Sequence, residues 1–191
     1  MNHSIRPDIL TASGNYINFV NPAGNSILVT DIAHALSNVC RFAGHTSEFY
    51  SVAQHSVLAS YLVPKKDALA ALFHDATEAY LGDITRPLKQ LLPDYRAIEQ
   101  LLQTDIFSKL GLPPELPPSV KQADLILLAT EQRDLMPHHD DEWTLIAGIE
   151  PMPARIEPQS PWIACTMFLD RYRELSATRL LVEVETEEGS A

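Results

Sequence analysis

Apolar residues recur at the 3.6-residue period of an α-helix along most of this chain, so the sequence predicts a bundle of helices. Helical patterns cover Asp31 to Cys40, Phe49 to Leu62, Ala68 to Asp83, Tyr95 to Leu110, Ser119 to about Leu135 and Pro161 to Leu175. A shorter helix is predicted over Ile84 to Leu92, where Pro87 suits a first helical turn. The sequence contains no series of alternating strands and no glycine-rich phosphate loop. We therefore expect an all-α fold, a compact multi-helix bundle.

Three segments depart from the helical pattern. Thr11 to Val20 predicts a small N-terminal β-hairpin around Ser13-Gly14-Asn15. The periodicity fails between Met136 and Pro161, which indicates irregular structure. The acidic tail, residues 182–191, contains carboxylates that repel one another and predict a frayed end. A length of 191 residues fits a single domain, so we expect one domain over 1–191.

Composition limits the classes of partner. No apolar run reaches the roughly 18 residues that a membrane helix needs, and the N-terminus lacks a signal-peptide layout, so we expect a cytoplasmic protein without a membrane partner. The net charge of −11 argues against binding of long nucleic acid, whereas a small phosphorylated substrate remains compatible with it. Cys40 and Cys165 lie in separate apolar patterns, and we expect buried free thiols there instead of a disulfide.

Adjacent polar residues interrupt the apolar face of the pattern that starts at Ala68. Leu72, Phe73 and Ala76 face a core, so His74 and Asp75 lie beside or inside that core. Burying an ionised carboxylate is costly unless it is paired or binds a metal. The histidine and aspartate therefore predict a coordination site.

Other helices contribute further ligand candidates. His55 lies among apolar residues of the preceding helix, and Asp124 lies where a polar helix start gives way to Leu125-Ile-Leu-Leu128. On its own, His55 would be read as a core histidine and Asp124 as a partner of a helix dipole. Together with His74 and Asp75, they form a mixed nitrogen and oxygen site that suits manganese, iron, cobalt, nickel or zinc.

This pattern of residues resembles the HD superfamily of metal-dependent phosphohydrolases. The local strings Ser51-Val-Ala-Gln-His55, Phe73-His-Asp-Ala-Thr-Glu78, Gly82-Asp83 and Lys121-Gln-Ala-Asp124 resemble the bacterial 5'-deoxynucleotidases and small HD-type deoxynucleoside triphosphohydrolases. The resemblance implies a helical HD domain with its core at about residues 30–136. It also implies a divalent metal ion (Mn, Co, Fe, Ni, Zn or Mg) at His55, His74, Asp75 and Asp124.

The resemblance further implies catalytic and substrate-binding residues. Carboxylates that match Glu78 and Asp83 flank the metal in related enzymes, where they position or protonate the reacting groups. Basic residues that match Arg41 and Lys89 hold the phosphate. Relatives often carry tryptophan where this chain has Phe42, and that ring packs against the sugar. Read without the resemblance, Glu78 could pair with a cation, Asp83 could cap a turn, Arg41 and Lys89 could be surface cations, and Phe42 could be a core aromatic.

Further histidines lie outside this set of residues. We expect a structural role for His34, whereas His45 lies in the turn before the His55 helix and is as compatible with phosphate binding as with no role. His138 and His139 are followed by two aspartates and look like a second metal cluster. Because they lie in an irregular polar stretch, we interpret them as a surface loop.

We therefore expect metal-dependent hydrolysis of phosphate from a nucleotide, in particular a deoxynucleotide. One alternative is a deoxynucleoside triphosphate triphosphohydrolase, or an enzyme that removes phosphates one at a time. An alternative of another class is a non-catalytic helical metal-binding regulatory module, which has no need for carboxylates beyond the ligands. The sequence leaves open the base, the number of phosphates, the native metal and assembly into a homo-oligomer.

Overall fold

A computed structural model describes residues 6–141 and 143–188 of the chain, with side chains as far as residue 179. The helices of the described residues are α1 (Val29–Asn38), α2 (Val52–Leu62), α3 (Ala68–Leu72), α4 (Glu78–Leu81), α5 (Arg86–Lys89), α6 (Pro93–Lys109), α7 (Pro118–Leu135) and α8 (Pro161–Glu188). Among the same residues, β1 (Asp8–Leu10) and β2 (Tyr16–Asn18) form one two-stranded sheet. The predicted helical bundle with a small N-terminal hairpin is confirmed.

The hairpin begins earlier in the chain than its sequence pattern indicated. Strands β1 and β2 are antiparallel, and Ile9 pairs with Ile17. The turn lies at the predicted place, where the backbone N–H of Thr11 donates to the carbonyl of Asn15 at 2.8 Å. The first strand lies before Thr11. The sequence did not indicate it, because a strand of three residues is too short to show an alternating pattern.

The main core lies where α1, α2, α3 and α8 pack together. Leu36, Leu72 and Phe168 are fully buried there. The rings of Phe73 and Phe168 make an edge-to-face contact with centroids 5.4 Å apart. Helix α8 therefore belongs to the same core as the helices that carry the site. Burial of each large apolar side chain contributes roughly 1.5–3 kcal/mol to the stability of that core.

Helix α8 is longer than the sequence pattern predicted. The pattern ended at Leu175, whereas the helix continues to Glu188 and includes most of the predicted acidic tail. Residues 189–191 of that tail lie outside the described residues.

The helix predicted from Ala68 to Asp83 is broken, which corrects the prediction of one continuous element. Helix α3 ends at Leu72 and α4 starts at Glu78. Between them, the N–H of Ala76 donates to the carbonyl of Phe73, and the N–H of Glu78 donates to that of Asp75, both at 3.0 Å. These bonds span three residues, as in a 3₁₀ turn. The break was not visible in the sequence because Phe73 and Ala76 remain buried through it and maintain the apolar period.

The segment without periodicity, residues 136–160, is held to the bundle by side chains. The N–H of Met152 donates to Thr130 at 2.9 Å, and the N–H of Ile156 donates to Asp134 at 2.9 Å. Gln54 donates to the carbonyl of Glu157 and accepts from the N–H of Gln159. The segment therefore follows a defined path across α2 and α7, with one short 3₁₀ turn at Thr144–Ile146.

The structure also shows the state of the two cysteines and the apolar character of the helices. Cys40 and Cys165 are both free thiols, as expected, although each is half-buried and not fully enclosed. None of the helices in the described part of the chain is both long and apolar enough to cross a membrane.

Candidate metal centre

The four predicted ligand residues converge from three separate parts of the fold. Helix α2 supplies His55, the break between α3 and α4 supplies His74 and Asp75, and the second turn of α7 supplies Asp124. The Nε2 atom of His55 lies 3.2 Å from Nε2 of His74, 3.3 Å from Oδ1 of Asp124 and 3.7 Å from Oδ2 of Asp75. The same Asp75 oxygen lies 3.2 Å from Nε2 of His74.

The other nitrogen of each imidazole contacts a group that can only accept a hydrogen bond. Nδ1 of His55 donates to Oε1 of Glu131 at 2.6 Å, and Nδ1 of His74 donates to the carbonyl oxygen of Ala71 at 2.7 Å. A neutral imidazole carries one proton, and these partners assign it to Nδ1. Both Nε2 lone pairs are then directed into the cluster, as in histidines that bind a metal.

The chemistry of this donor set fits a cation. With both imidazoles neutral, two nitrogen lone pairs and two carboxylates face one another at 3.2 to 3.7 Å without a donor among them, so they repel unless a metal ion or a proton supplies positive charge. His55, His74 and Asp124 form a group that could hold a metal ion, since one ligand atom from each lies within 4.8 Å of the others. Mixed nitrogen and oxygen ligands favour a transition metal over Mg²⁺, which prefers oxygen ligands and water.

The pKa values of the cluster also indicate that positive charge stabilises it. Burial by itself lowers the pKa of His55, but the carboxylates of Glu131 and Asp124 outweigh burial and raise the pKa to about 9. Burial raises the pKa of Asp75, yet His74, His55 and Arg41 hold it well below its ordinary value. Without a metal, a proton on His55 therefore supplies part of the missing charge.

Glu131 is a residue of the candidate site that the sequence analysis did not identify. Its side chain is fully buried, and its second oxygen accepts from Nη2 of Arg41 at 3.0 Å. The other terminal nitrogen of that arginine lies 3.5 Å from Asp75. A signal was present in the sequence, because Glu131 follows Asp124 by seven residues and so lies two turns later on the same face of α7.

A cavity of about 860 Å³ adjoins the cluster. Its polar lining includes all of the predicted catalytic residues, both predicted phosphate-binding residues and two of the ligand candidates: Glu78, Asp83, Arg41, Lys89, Asp75 and Asp124. Phe42 and His45 also line this cavity. His34 lies exposed on α1 and does not line it.

Two carboxyl groups in this cavity lie in environments that favour their protonated form. Glu78 is buried, and burial together with Asp75 and Asp83 raises its pKa well above the ordinary value. Among the described residues, its Oε2 atom has no hydrogen-bond partner. Burial and Asp75 also raise the pKa of Asp83. Both groups are therefore suited to exchange a proton with a bound molecule.

The cations of the cavity differ in how far they are already paired. Arg41 contacts Glu131 and Asp75, while Nζ of Lys89 lies 2.7 Å from Glu99 and 3.9 Å from Glu78. Arg86 also lines the cavity, is exposed, and makes no ion pair within the described part of the chain.

Phe42 is presented to the cavity by an unusual backbone. Phe42 and Ala43 have φ angles of 55° and 52°, in the left-handed region that non-glycine residues rarely adopt. The Arg41 guanidinium carbon lies 5.5 Å from the centre of the Phe42 ring. The two consecutive left-handed residues therefore place the arginine and the aromatic ring side by side at the cavity wall.

His138 and His139 remain in the loop that was predicted, but they are not simply a surface feature. They line a second, smaller cavity of about 480 Å³, where His139 stacks on Trp143. Within the described residues, the group of side chains that could hold a metal ion is His55, His74 and Asp124.

Comparison with known proteins gives one match over nearly the full length. No protein-family model matches the sequence. The chain is 48% identical over 172 residues to the "Uncharacterized protein YfdR" of Escherichia coli, which covers 90% of this chain and 97% of that protein. It is 36% identical over 121 residues to an uncharacterized protein of Rhodobacter capsulatus, covering 58% of this chain and 62% of that protein.

Two shorter matches carry a functional name. The chain is 32% identical over 102 residues to a 5'-deoxynucleotidase of Erwinia tasmaniensis and 29% identical over 102 residues to a 5'-deoxynucleotidase of Cronobacter sakazakii. Each match covers 50% of this chain and 42% of the relative, so the chain matches less than half the length of those enzymes.

Proposed function

The chain belongs to the family of Escherichia coli YfdR, and from its site we propose that it is a metal-dependent phosphohydrolase that removes phosphate from deoxynucleotides. The observation that carries the proposal is the convergence of His55, His74, Asp75 and Asp124 beside a cavity that also contains cations and protonatable carboxyl groups. The partial similarity to proteins named 5'-deoxynucleotidase supports an HD-type phosphohydrolase and this class of substrate.

In this proposal the four converging residues hold one transition metal. When bound by these residues, such an ion would supply Lewis-acid polarisation of a phosphoryl oxygen and would lower the pKa of water at the site. Glu131 fixes the orientation and tautomer of His55 through the hydrogen bond at Nδ1. The carbonyl of Ala71 does the same for His74. The histidines are therefore preorganised before the ion binds.

Arg41 and Lys89 neutralise the phosphate. The guanidinium of Arg41 is held by Glu131 and Asp75, so it presents a fixed fork of donors beside the metal ligands. Lys89 is held by Glu99 at 2.7 Å in the same way. These ion pairs neutralise part of the positive charge of both cations. They also hold the two side chains in position, so that little further side-chain entropy is lost when phosphate binds.

Glu78 and Asp83 supply proton transfer and positioning. Because the pKa of each carboxyl is raised, most strongly that of Glu78, either group is better suited than an ordinary carboxyl to give a proton to the oxygen of the leaving group. In its ionised form, either carboxylate can orient the attacking water. A non-catalytic metal-binding module has no need for two such groups, so the cavity favours an enzyme.

Charge in the cavity favours a phosphate monoester over a triphosphate. The carboxylates of Asp75 and Asp124, whose pKa values are lowered, line the cavity, and two of its three cations are already paired, Arg41 with Glu131 and Lys89 with Glu99. A monophosphate carries roughly two negative charges, whereas a triphosphate carries more and would meet more repulsion. A triphosphohydrolase remains the second candidate, because the exposed Arg86 offers one further contact for a longer phosphate chain.

The test is a screen of the purified protein against nucleoside mono-, di- and triphosphates in deoxy and ribo forms. Each substrate is combined with Mn²⁺, Co²⁺, Ni²⁺, Zn²⁺ or Mg²⁺, and the products are identified by chromatography. We expect release of orthophosphate from deoxynucleoside monophosphates with a transition metal. Release of intact triphosphate would select the second candidate, and no turnover with any combination would reject the enzyme.

The ligand assignment is tested with Asp75→Ala, which should lose both metal and turnover. Asp94→Ala is the matched control, because Asp94 is exposed and does not line the cavity. Full metal occupancy in Asp75→Ala by elemental analysis would reject the role of Asp75.

A further inference from the structure

The lining of the larger cavity includes apolar side chains as well as the charged groups described above. Leu128, Met136, Leu145, Phe42 and Trp143 contribute to it. Cavities that bind small molecules commonly combine a mostly apolar wall with a few polar groups. A ligand that fits this lining therefore combines an anionic part with an apolar part.

Trp143 forms a wall between the two cavities. It lines both of them, whereas His139 lines only the smaller cavity and Phe42 only the larger one. The rings of Trp143 and His139 stack with centroids 5.6 Å apart and an interplanar angle of 19°. His139 Nε2 in turn lies 3.2 Å from Nε2 of Gln132 on α7. His139 therefore packs against one face of the indole and restricts movement of the ring.

A continuous series of contacts joins this wall to the candidate metal centre. Arg41 lies 3.5 Å from Asp75 and 5.5 Å from the centre of the Phe42 ring. The Phe42 ring is in turn 6.2 Å from the ring of Trp143, at an interplanar angle of 42°. The phosphate end and the aromatic end are thus separated by the width of one side chain, that of Phe42.

We propose that the indole of Trp143, supported by His139, is a nucleobase-binding subsite on which the base of the substrate stacks. The inference rests on the proposed function, because it places the phosphate of the same molecule at the metal centre. A nucleotide has the required order of parts: phosphate, sugar and a flat aromatic base. Because every base has a π-face, stacking on an indole selects bases as a class with little discrimination among them.

The tryptophan content of the chain allows a direct binding test. The sequence contains two tryptophans, and Trp162 lies 79% exposed at the start of α8 and lines neither cavity. Trp162→Phe therefore leaves Trp143 as the only indole. We expect deoxynucleosides, which lack phosphate, to quench the fluorescence of Trp143, and we expect the quenching to saturate as their concentration rises. Deoxyribose 5-phosphate, which lacks a base, should leave the fluorescence unchanged.

Kinetics provide the second readout. Trp143→Ala should raise the KM for a deoxynucleoside monophosphate on the order of ten- to a hundredfold, as expected for loss of one stacked base. Its kcat/KM for deoxyribose 5-phosphate should stay unchanged, and Trp143→Phe should recover part of the loss because it retains a ring. Trp162→Ala is the matched control and should behave as wild type.

Two results would overturn the subsite. One is the absence of quenching by any deoxynucleoside in Trp162→Phe, and the other is an equal loss of activity on the substrates with and without a base. If Trp143→Ala fails to fold, the fluorescence titration alone decides. A wild-type protein that hydrolyses no phosphate ester but shows quenching by nucleosides would reject the proposed function and retain the base-binding subsite.

Discussion

Nδ1 of His55 lies 2.6 Å from Oε1 of Glu131, and both side chains are fully buried. Glu131 also binds Arg41 at 3.0 Å through its other oxygen. Burial raises the pKa of this carboxyl, but Arg41 and His55 outweigh it and lower the pKa. A single ionised carboxylate therefore positions an imidazole of the candidate metal centre and the guanidinium proposed to bind phosphate.

Glu131→Gln should weaken metal binding about 10- to 100-fold, as is typical when a partner behind a metal-binding histidine is altered. The amide oxygen of glutamine still accepts from Nδ1, but without charge. Titration against a chromophoric chelator measures the affinity. Glu174→Gln is a suitable control, because Glu174 pairs with Arg171 away from the cavity. An affinity equal to that of wild type would show that Glu131 has only a structural role.

Glu78→Gln should slow turnover by about a hundred- to ten-thousand-fold, the range expected for loss of general acid or base assistance. Its metal content should remain that of wild type, since the role proposed for Glu78 does not include binding the ion. Elemental analysis and single-turnover kinetics separate the two effects. Glu150→Gln, at an exposed position outside the cavity, controls for the change of charge. Loss of metal, or full activity, in Glu78→Gln would contradict this assignment.

The metal-free protein should lose stability as the pH rises. The pKa of His55 is 6.5 in the unfolded chain and about 9 in the folded protein. The folded state therefore holds this proton more tightly, and its contribution is complete below pH 6.5 and lost as the pH passes through about 9. The raised pKa of Glu78 acts in the same direction.

Urea denaturation in the presence of a chelator, at intervals from pH 6 to about 10, measures this dependence. His55→Gln should reduce the decline between pH 6.5 and about 9, and the raised pKa of His74 accounts for a part that remains. A free energy of unfolding that increases over this interval in the metal-free wild type would contradict the prediction.

Phe42→Ala should reduce the preference for deoxyribonucleotides over ribonucleotides. An apolar wall that excludes a hydroxyl group discriminates only on the order of a hundredfold, and removal of the ring leaves space for the 2'-hydroxyl. The measurement is the ratio of kcat/KM for matched deoxy and ribo substrates. Phe49→Ala is the control, since Phe49 is exposed and lies outside the cavity. An unchanged ratio in Phe42→Ala would assign the ring to packing alone.

Helices and ligand candidates were the features most accessible from the sequence. The apolar period located the helices, and the ordered motif strings identified His55, His74, Asp75 and Asp124, which the fold brings together. The break between α3 and α4 was inaccessible, because periodicity reports which side chains face the core and not whether the backbone bonds span three or four residues.

Glu131 and Trp143 were missed for different physical reasons. A glutamate in the later part of a helix usually faces solvent, and only its register with Asp124 indicated the site. Trp143 lies in a segment without periodicity, and its place at the cavity involves a contact with Phe42, about a hundred residues earlier in the chain. No local pattern encodes contacts between residues that are so far apart in the chain.

Helix α8 completes the core that supports the candidate metal centre. All four ligand candidates lie before Met136, yet Phe168 and Ala164 of α8 fill the core against which Phe73 packs. A nascent chain that has reached Met136 therefore carries the ligands but exposes the apolar faces of α1, α2 and α3. Such a fragment is prone to aggregation. We therefore expect the motif-bearing segment up to Met136 not to fold as a separate metal-binding module, because part of the core on which its helices pack comes from α8.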